Sequence, residues 1–390
     1  MRSIPKTEST CTLIDVNDFD DVKDPKMQIH HHVQEIQVTQ ETDLYLIHDG
    51  NYKTSLSLPS SSSTMSMNEC LSCNPILTTR ATEALSHRIH TYKPNPTQTQ
   101  TQTHTPVIYV HQREVAHVSN EQYDKRGAVL ASDAATTCHI LALRSIHNQK
   151  ILGSLCHLDS TKNEACIRKM VQEHIDYHDN ISNDARVIME VHIVGGYNDT
   201  KGNSSEITES VFCLLRDLAS ELKSTMEVQI KTCIVSGLND SMTYSKSILQ
   251  PSPMVRGMAM DVASGHITLL QYVHSTLLGP EPTLRRVRLW STSPNAGDLL
   301  TVHSPRGEQI SIAEFTFHAF EGIAVFLSLP DDVLLEYSST SPECEGENFC
   351  DELRAACRFV RDVKAEDCFF GRKSVVYDYV GKGCDWEKLG

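Results

Sequence analysis

Near Val107 the pattern of apolar and polar positions changes. Upstream, residues 55–67 are mostly serine, and residues 94–106 read PNPTQTQTQTHTP. Neither tract can bury enough apolar surface to offset the entropy of ordering its backbone. Residues 1–106 are therefore expected to form a low-complexity, largely disordered extension, with local helix near residues 82–90. Downstream, apolar positions recur with two periods. Residues 107–118, 128–132, 138–144, 151–159, 188–194, 228–235, 256–262, 266–273 and 320–327 read as strands. Residues 203–206, Asn-Ser-Ser-Glu, suit the start of a helix that carries Ile207, Val211, Leu214, Leu215, Leu218 and Leu222 on one face. Asn348 and Asp351 suit the start of another, running through Val363 and burying Leu353, Cys357 and Val360. Strands come first, with helices inserted and appended, which predicts an α+β fold rather than a doubly wound parallel sheet.

Charge and composition narrow the partners. The 390 residues carry 35 Lys+Arg against 50 Asp+Glu, a formal charge of −15. Phosphate backbones need a basic face, so nucleic acid is not an expected partner, whereas a substrate with an ammonium group is compatible. No apolar run approaches the ~20 residues that span a bilayer, so no membrane partner is expected either. The opening MRSIPKTEST lacks the apolar stretch of an export signal, and the thirteen cysteines then read as reduced thiols. The expected location is the cytoplasm, extending to the nucleus.

One segment stands out for its chemistry. In Ser132-Asp133-Ala134-Ala135-Thr136-Thr137-Cys138-His139, a cysteine leaves a small polar turn and enters an apolar strand. A cysteine chosen at random is usually buried and inert. Here the next two strands form a hairpin, and a turn centred on His147-Asn148 would set Cys138 directly opposite His157. Opposed residues share a face with Cβ atoms about 4.5–5.5 Å apart, the arrangement a thiol nucleophile and its base require. A slip of one residue would separate the faces. His139 should point to the other side of the strand and serve structure. The set Cys70, Cys73, His87 and His90 only faintly matches zinc-ligand spacing, His30-His31-His32 reads as a solvated run, and Gly195-Gly196 reads as a turn.

These segments, with Tyr109-Val110-His111-Gln112-Arg113-Glu114, Glu190-Val191-His192-Ile193-Val194-Gly195-Gly196 and the STSPECEG run at 339–346, resemble the protein N-terminal asparagine amidohydrolase family. The resemblance runs in order from about residue 107 to 390. It implies two packed β-sheets flanked by helices, a deamidase-like cysteine hydrolase fold, with residues 107–390 as the catalytic domain. It also implies deamidation of an N-terminal Asn of a protein or peptide to Asp, with no metal or organic cofactor. The Asp product would enter N-degron, ubiquitin-dependent degradation. The family nucleophile matches Cys138. Through similarity to bacterial deamidases, His157 matches the base and Ser132 the group that orients it. An N-terminal substrate presents an α-ammonium, and the carboxylates considered for it are Asp133, Glu190 and Asp159. This chain has a longer N-terminal extension than the family, and a hairpin turn about two residues longer.

Two other functions compete. A non-catalytic adaptor of the degradation pathway would bind N-termini through the same pocket without turnover, against which the intact Cys138, His157 and Ser132 argue. A zinc-dependent regulator would use Cys70, Cys73, His87 and His90.

Overall fold

The structure, a computed structural model, describes residues 43–48, 52–59, 63, 65–86, 89–92, 105–125, 127–178, 186–245, 248–291, 299–381 and 385–389. The strands that build the large sheet are Leu44–His48 (β1), Tyr52–Ser55 (β2), Glu114–Ser119 (β5), His139–His147 (β7), Lys150–Leu158 (β8), Val187–Gly195 (β9), Met226–Val235 (β10), Leu300–His303 (β15), Gln309–Ala313 (β16), Ser374–Tyr379 (β17) and Trp386–Lys388 (β18). The small sheet holds His90–Tyr92 (β3), Val107–Tyr109 (β4), Val129–Ser132 (β6), Gly257–Asp261 (β13) and Ile267–Val273 (β14), and Asp240–Ser245 (β11) and Ile248–Pro253 (β12) pair only with each other. The large sheet runs β18-β17-β16-β15-β5-β8-β7-β9-β10-β1-β2 and the small one β3-β14-β13-β6-β4. Pairing is mixed: β7 is antiparallel to β8 and β9, while β9 and β10 are parallel. The helices that matter for the site are Met67–Cys73 (α1), Pro75–Ser86 (α2), Glu164–Tyr177 (α3), Asn203–Leu222 (α4), Pro282–Ser291 (α5), Ile323–Ser328 (α6), Asp331–Ser338 (α7) and Phe349–Asp362 (α8). The fold is α+β, as the pattern predicts.

β7 and β8 sit at the centre and are covered on both sides. One face carries Ile140, Ala142, His157, Leu155 and Gly153. The small sheet presses so closely there that a Cβ on Gly153 would lie 2.7 Å from Val262. The opposite face carries Leu141, Leu143, Ser145, Ser154 and Cys156, and meets the helices: His174 of α3 bonds Ser145 and Ser154. Covering on both faces explains the nearly unbroken apolar run in these strands.

The structure corrects four expectations. Residues 107–118 are not one strand. The chain turns at residues 111–113, where Arg113 has φ 62°, and passes from the small sheet in β4 to the large sheet in β5. Residues 320–327 are not a strand either: Gly322 in the left-handed region starts α6, since the run is continuously apolar rather than alternating. The helix α4 begins at Asn203 as expected, but its first amides are capped by Asp199, which accepts from Asn203 and Ser204. The fourth correction is the extension. Leu44 and Leu46 of β1, Leu56 and Leu58 after β2, Leu71 of α1 and Leu77 of α2 are each at most 1% exposed and belong to the main core. The alternation Leu56-Ser57-Leu58 inside the serine-rich tract was the local sign of this. Residues 1–42, including His30-His31-His32, lie outside the described residues, as does His87 of the zinc-like set.

Burying a leucine contributes roughly 1.5–3 kcal/mol. A chain starting at residue 107 should therefore unfold at markedly lower urea concentration than the full chain, or fail to stay soluble. Leu71→Ala alone should cost about 2–5 kcal/mol. An equal urea midpoint for the truncated chain would show that these leucines are dispensable.

A second prediction comes from the face toward α3. His117, Ser154, His174, Ser145 and His178 form a continuous hydrogen-bonded row with spacings of 2.6, 2.8, 2.7 and 2.9 Å. His303 donates from Nδ1 to the His117 carbonyl at 2.7 Å. Burial pushes His117, His178 and His303 down to about 4, and His174 well below its ordinary value, with neighbouring histidines adding to the effect on His117, His174 and His178. An unfolded histidine titrates near ~6.5, so between there and about pH 4 the unfolded chain binds more protons than the folded one. The stabilisation is complete above pH 6.5 and drains away as pH falls through 4. Urea midpoints measured from pH 8 to pH 5 should be flat at first and then fall steeply below 6.5; a midpoint that holds to pH 5 would contradict it.

Candidate active site

The β7–β8 ladder pairs His147 with Lys150, Ile140 with His157 and His139 with Leu158. The turn is therefore Asn148-Gln149, with φ of 45° and 71°, the backbone of a type I′ turn, which suits the twist of a two-residue hairpin. This is one residue on from the expected turn, and it shifts each pair by two. Cys138 lies just before β7, on the same face as Ile140 and His157, diagonal to His157 rather than directly opposite. A shift by an even number keeps the two side chains on one face. Both line a cavity of about 270 Å³ between the sheets and α5 and α8.

Ser132 ends β6 and approaches from the small sheet. Its hydroxyl donates to the Val110 carbonyl at 2.7 Å and lies 3.0 Å from His157 Nδ1. With the hydroxyl proton committed to Val110, the oxygen can only accept from His157, which places the imidazole proton on Nδ1. Nε2 is then a bare lone pair, and no partner among the described residues engages it. Burial pushes His157 down to about 4, with Asp159 and Glu114 opposing. Burial also pushes the Cys138 thiol well up, and the charges of Asp159 and Glu345 add to this. At neutral pH the resting pair is thiol and neutral imidazole.

The loop carrying Cys138 is clamped from several sides. Thr137 and Thr340 hydroxyls meet at 2.8 Å, the Ser341 hydroxyl donates to Thr136 at 2.8 Å, and the Ala135 amide donates to the Arg256 carbonyl at 2.9 Å. Thus the STSPECEG segment serves as the cover of this loop. His139 points to the helix face, as expected, and its Nε2 lies 2.8 Å from Thr208 of α4. Gly195, which ends β9, and Gly196 after it make room behind. A Cβ on Gly195, at φ +113°, would lie 2.5 Å from the Cys138 carbonyl oxygen, and one on Gly196 would lie 2.7 Å from the His139 ring.

Of the three carboxylates considered from the sequence, only Asp133 lines the cavity. Its oxygens are taken by the Tyr109 hydroxyl and the Val273 amide, both at 2.5 Å. Asp159 is turned to Gln112 at 2.8 Å and Arg113 at 2.6 Å. Glu190 pairs with Arg144 at 2.7 Å, about 16 Å along β9 from Gly195 at ~3.3 Å per residue, and takes no part in the site. Two carboxylates that the sequence reading passed over do line the cavity. Glu352 of α8 is bound to Arg286 at 2.5 Å, while Glu345 accepts only the Ser339 hydroxyl among the described residues. Glu345 sits in the STSPECEG segment, so a signal existed. Leu289, Trp290, Phe349 and Leu353 give the cavity an apolar wall that had no local signature.

With this geometry in place, the comparisons are specific. A profile of the family described as protein N-terminal asparagine amidohydrolase matches residues 97–388. The chain belongs to the protein N-terminal asparagine amidohydrolase family. The chain is similar to the protein N-terminal asparagine amidohydrolase of Homo sapiens, 28% identical over 288 residues, covering 73% of this chain and 84% of the relative. The Sus scrofa protein of that name is 28% identical over 276 residues, covering 70% and 80%. The Arabidopsis thaliana one is 26% identical over 265 residues, covering 63% and 71%. The family match begins downstream of β1, β2, α1, α2 and β3, so these core-forming elements lie outside it.

In this family member the close approach of Gly195 to the Cys138 carbonyl yields a test that needs no substrate. Gly195→Ala must either displace the Cys138 loop or strain the backbone at positive φ, at a cost on the order of 1–3 kcal/mol. Melting temperature should fall, and the alkylation rate of Cys138 by iodoacetamide, read by peptide mass mapping, should change. If both stay at wild-type values, the glycine does not brace the thiol.

Proposed function

We propose that this chain deamidates the side chain of an N-terminal Asn of proteins or peptides, giving Asp and ammonia through a thioester on Cys138. The observation that carries the reading is the single tautomer imposed on His157 by Ser132 and Val110, with an unengaged Nε2 on the face shared with Cys138. His157 Nε2 takes the thiol proton as sulfur attacks the amide carbon. Negative charge develops on the amide oxygen, where the Cys138 backbone amide is a suitable donor. The imidazolium then gives its proton to the departing nitrogen, ammonia leaves, and the thioester remains. Water enters, loses a proton to the same Nε2 and hydrolyses the thioester, and the sulfur recovers its proton. No step in this sequence calls on a metal or organic cofactor.

The α-ammonium of the substrate needs a negative partner. Glu345 suits it better than Asp133 or Asp159, because it lines the cavity with one hydrogen bond among the described residues, whereas Asp133 accepts on both of its oxygens and Asp159 lies outside the cavity lining, held by Gln112 and Arg113. In the cell, the Asp product would feed N-degron degradation by the ubiquitin system, in the cytoplasm and the nucleus. An adaptor that binds N-termini without turnover is the competing reading, and release of ammonia separates the two.

The test is mass spectrometry of Asn-, Gln- and Asp-initiated peptides before and after incubation. Asn peptides should gain one mass unit, Gln and N-acetylated Asn peptides should not, and no change in any of them would leave only binding. Cys138→Ala should fall to background and His157→Ala close to it. Ser132→Ala should lose roughly 10–100-fold, as for other groups that orient a reacting side chain. Glu345→Gln should raise KM about 10–100-fold, the size of a charge-assisted hydrogen bond. Cys156 faces the helices beside Cys166, so Cys156→Ser should keep most activity; loss there together with survival of Cys138→Ala would identify the wrong thiol.

A further inference from the structure

The cavity contains a second imidazole that the deamidation steps do not use. His111 lies in the turn between β4 and β5, is 9% exposed and lines the same cavity as Cys138 and His157. Its Nε2 is buried with no hydrogen-bond partner among the described residues. An unpaired buried polar atom is costly, and native folds rarely keep one without a use. Nor is the ring loosely held. The His111 amide donates to Glu114 at 2.9 Å, the Glu114 amide donates to the His111 carbonyl at 3.0 Å, and the imidazole packs edge-on to Tyr109 with centroids 4.6 Å apart. Tyr109 in turn is fixed by its hydroxyl bond to Asp133. The ring is held in place by both neighbours, while its buried Nε2 has no hydrogen-bond partner among the described residues.

The surroundings select what that nitrogen can bind. Arg285 and Arg286 lie on this side of the cavity, and burial together with the Arg285 charge keeps His111 uncharged. Arg285 is paired with Glu114 and Arg286 with Glu352, so no carboxylate there is left for an ammonium, which has Glu345 elsewhere in the cavity. A carbonyl oxygen, neutral but with a partial negative charge, fits a neutral N–H donor beside two guanidinium groups.

We propose that His111 is a substrate-binding residue whose Nε2–H donates to the carbonyl oxygen of the first peptide bond of an Asn-initiated chain. This rests on the N-terminal Asn reading above. The contact fixes the main chain of residue one, while Glu345 fixes its ammonium and Cys138 meets its side chain, so three points orient the substrate. Because the contact exists in both ground and transition states, its loss should appear in KM and not in kcat.

The experiment compares wild type, His111→Leu and His111→Gln on an Asn-initiated peptide and on its analogue with an alkene in place of the first peptide bond. Wild-type turnover of the Asn peptide is the control for the function itself: its absence would overturn that reading, whatever the variants do. With wild type active, His111→Leu should raise KM about 3- to 12-fold with kcat within twofold, the loss of one neutral hydrogen bond. His111→Gln, which retains an N–H donor, should recover most of it. On the alkene analogue, wild type and His111→Leu should have the same KM, because the acceptor is gone. A KM unchanged by His111→Leu, a loss confined to kcat, or an undiminished effect on the alkene analogue would each overturn the proposal. Should His111→Leu not fold, the imidazole ¹⁵N spectrum of wild type with an Asp-initiated product peptide decides: the His111 Nε2 resonance must move on binding, and its failure to move overturns the contact.

Discussion

Everything at the site hangs from the pairing of β7 with β8. This hairpin lies in the middle of the large sheet, so one face is pressed by the small sheet and the other by α3 and α4. Because side chains alternate between the faces, one register sends Cys138 and His157 toward the small sheet and His139 and Cys156 toward the helices. The turn at Asn148-Gln149 sets that register, and burial of both faces holds it. A slip by a single residue would place the histidine among the helices and strand the thiol.

The second constraint is the corner between β4 and β5. Glu114 is 1% exposed and held by Arg285 and Arg288, which are 2% and 1% exposed. Burial alone would raise the Glu114 carboxyl, but Arg285 and then Arg288 overcome it and bring it down to about 2, so the group stays charged. Such a triad is a poor source of net stability, since desolvation offsets most of the attraction. Its effect is positional. It ties α5 to the turn at 111–113, and that turn supplies the Val110 carbonyl for Ser132, Gln112 and Arg113 for Asp159, and His111 for the cavity. Removing one member would leave a buried charge uncompensated, so the triad binds the corner more firmly than its net energy suggests.

The two sheets solve their edge problem with the N-terminal segment. β1 and β2 extend the large sheet beyond β10, and β3 pairs along β14 at the rim of the small one. The same stretch of chain therefore covers an edge of each sheet and buries its leucines in the core, upstream of the region that the family match covers. Open strand edges invite pairing with other chains, and covering them is one of the ways folds avoid it.

Strand and helix character was legible wherever burial marks the sequence: the apolar runs of β7 through β10 and the one-sided helix α4 follow from sequence alone. So does the presence of a Cys–His pair across a hairpin, since a one-residue error in the turn shifts each pair by two and so preserves facing. What local pattern could not supply is anything decided by distant residues. Glu190 looked as eligible as Asp133, and Asp159 was a third candidate, until Arg144 and Arg113 claimed them. Glu345, Glu352 and Trp290 reach the cavity only because α5 and α8 pack over the β4–β5 corner. The serine-rich upstream tract appeared too polar to fold because its few leucines contribute little to each other, and a great deal to a core already built by residues far along the chain. Periodicity records which face of an element is buried; which other element buries it, and so which charges meet in the cavity, is settled only when the layers close.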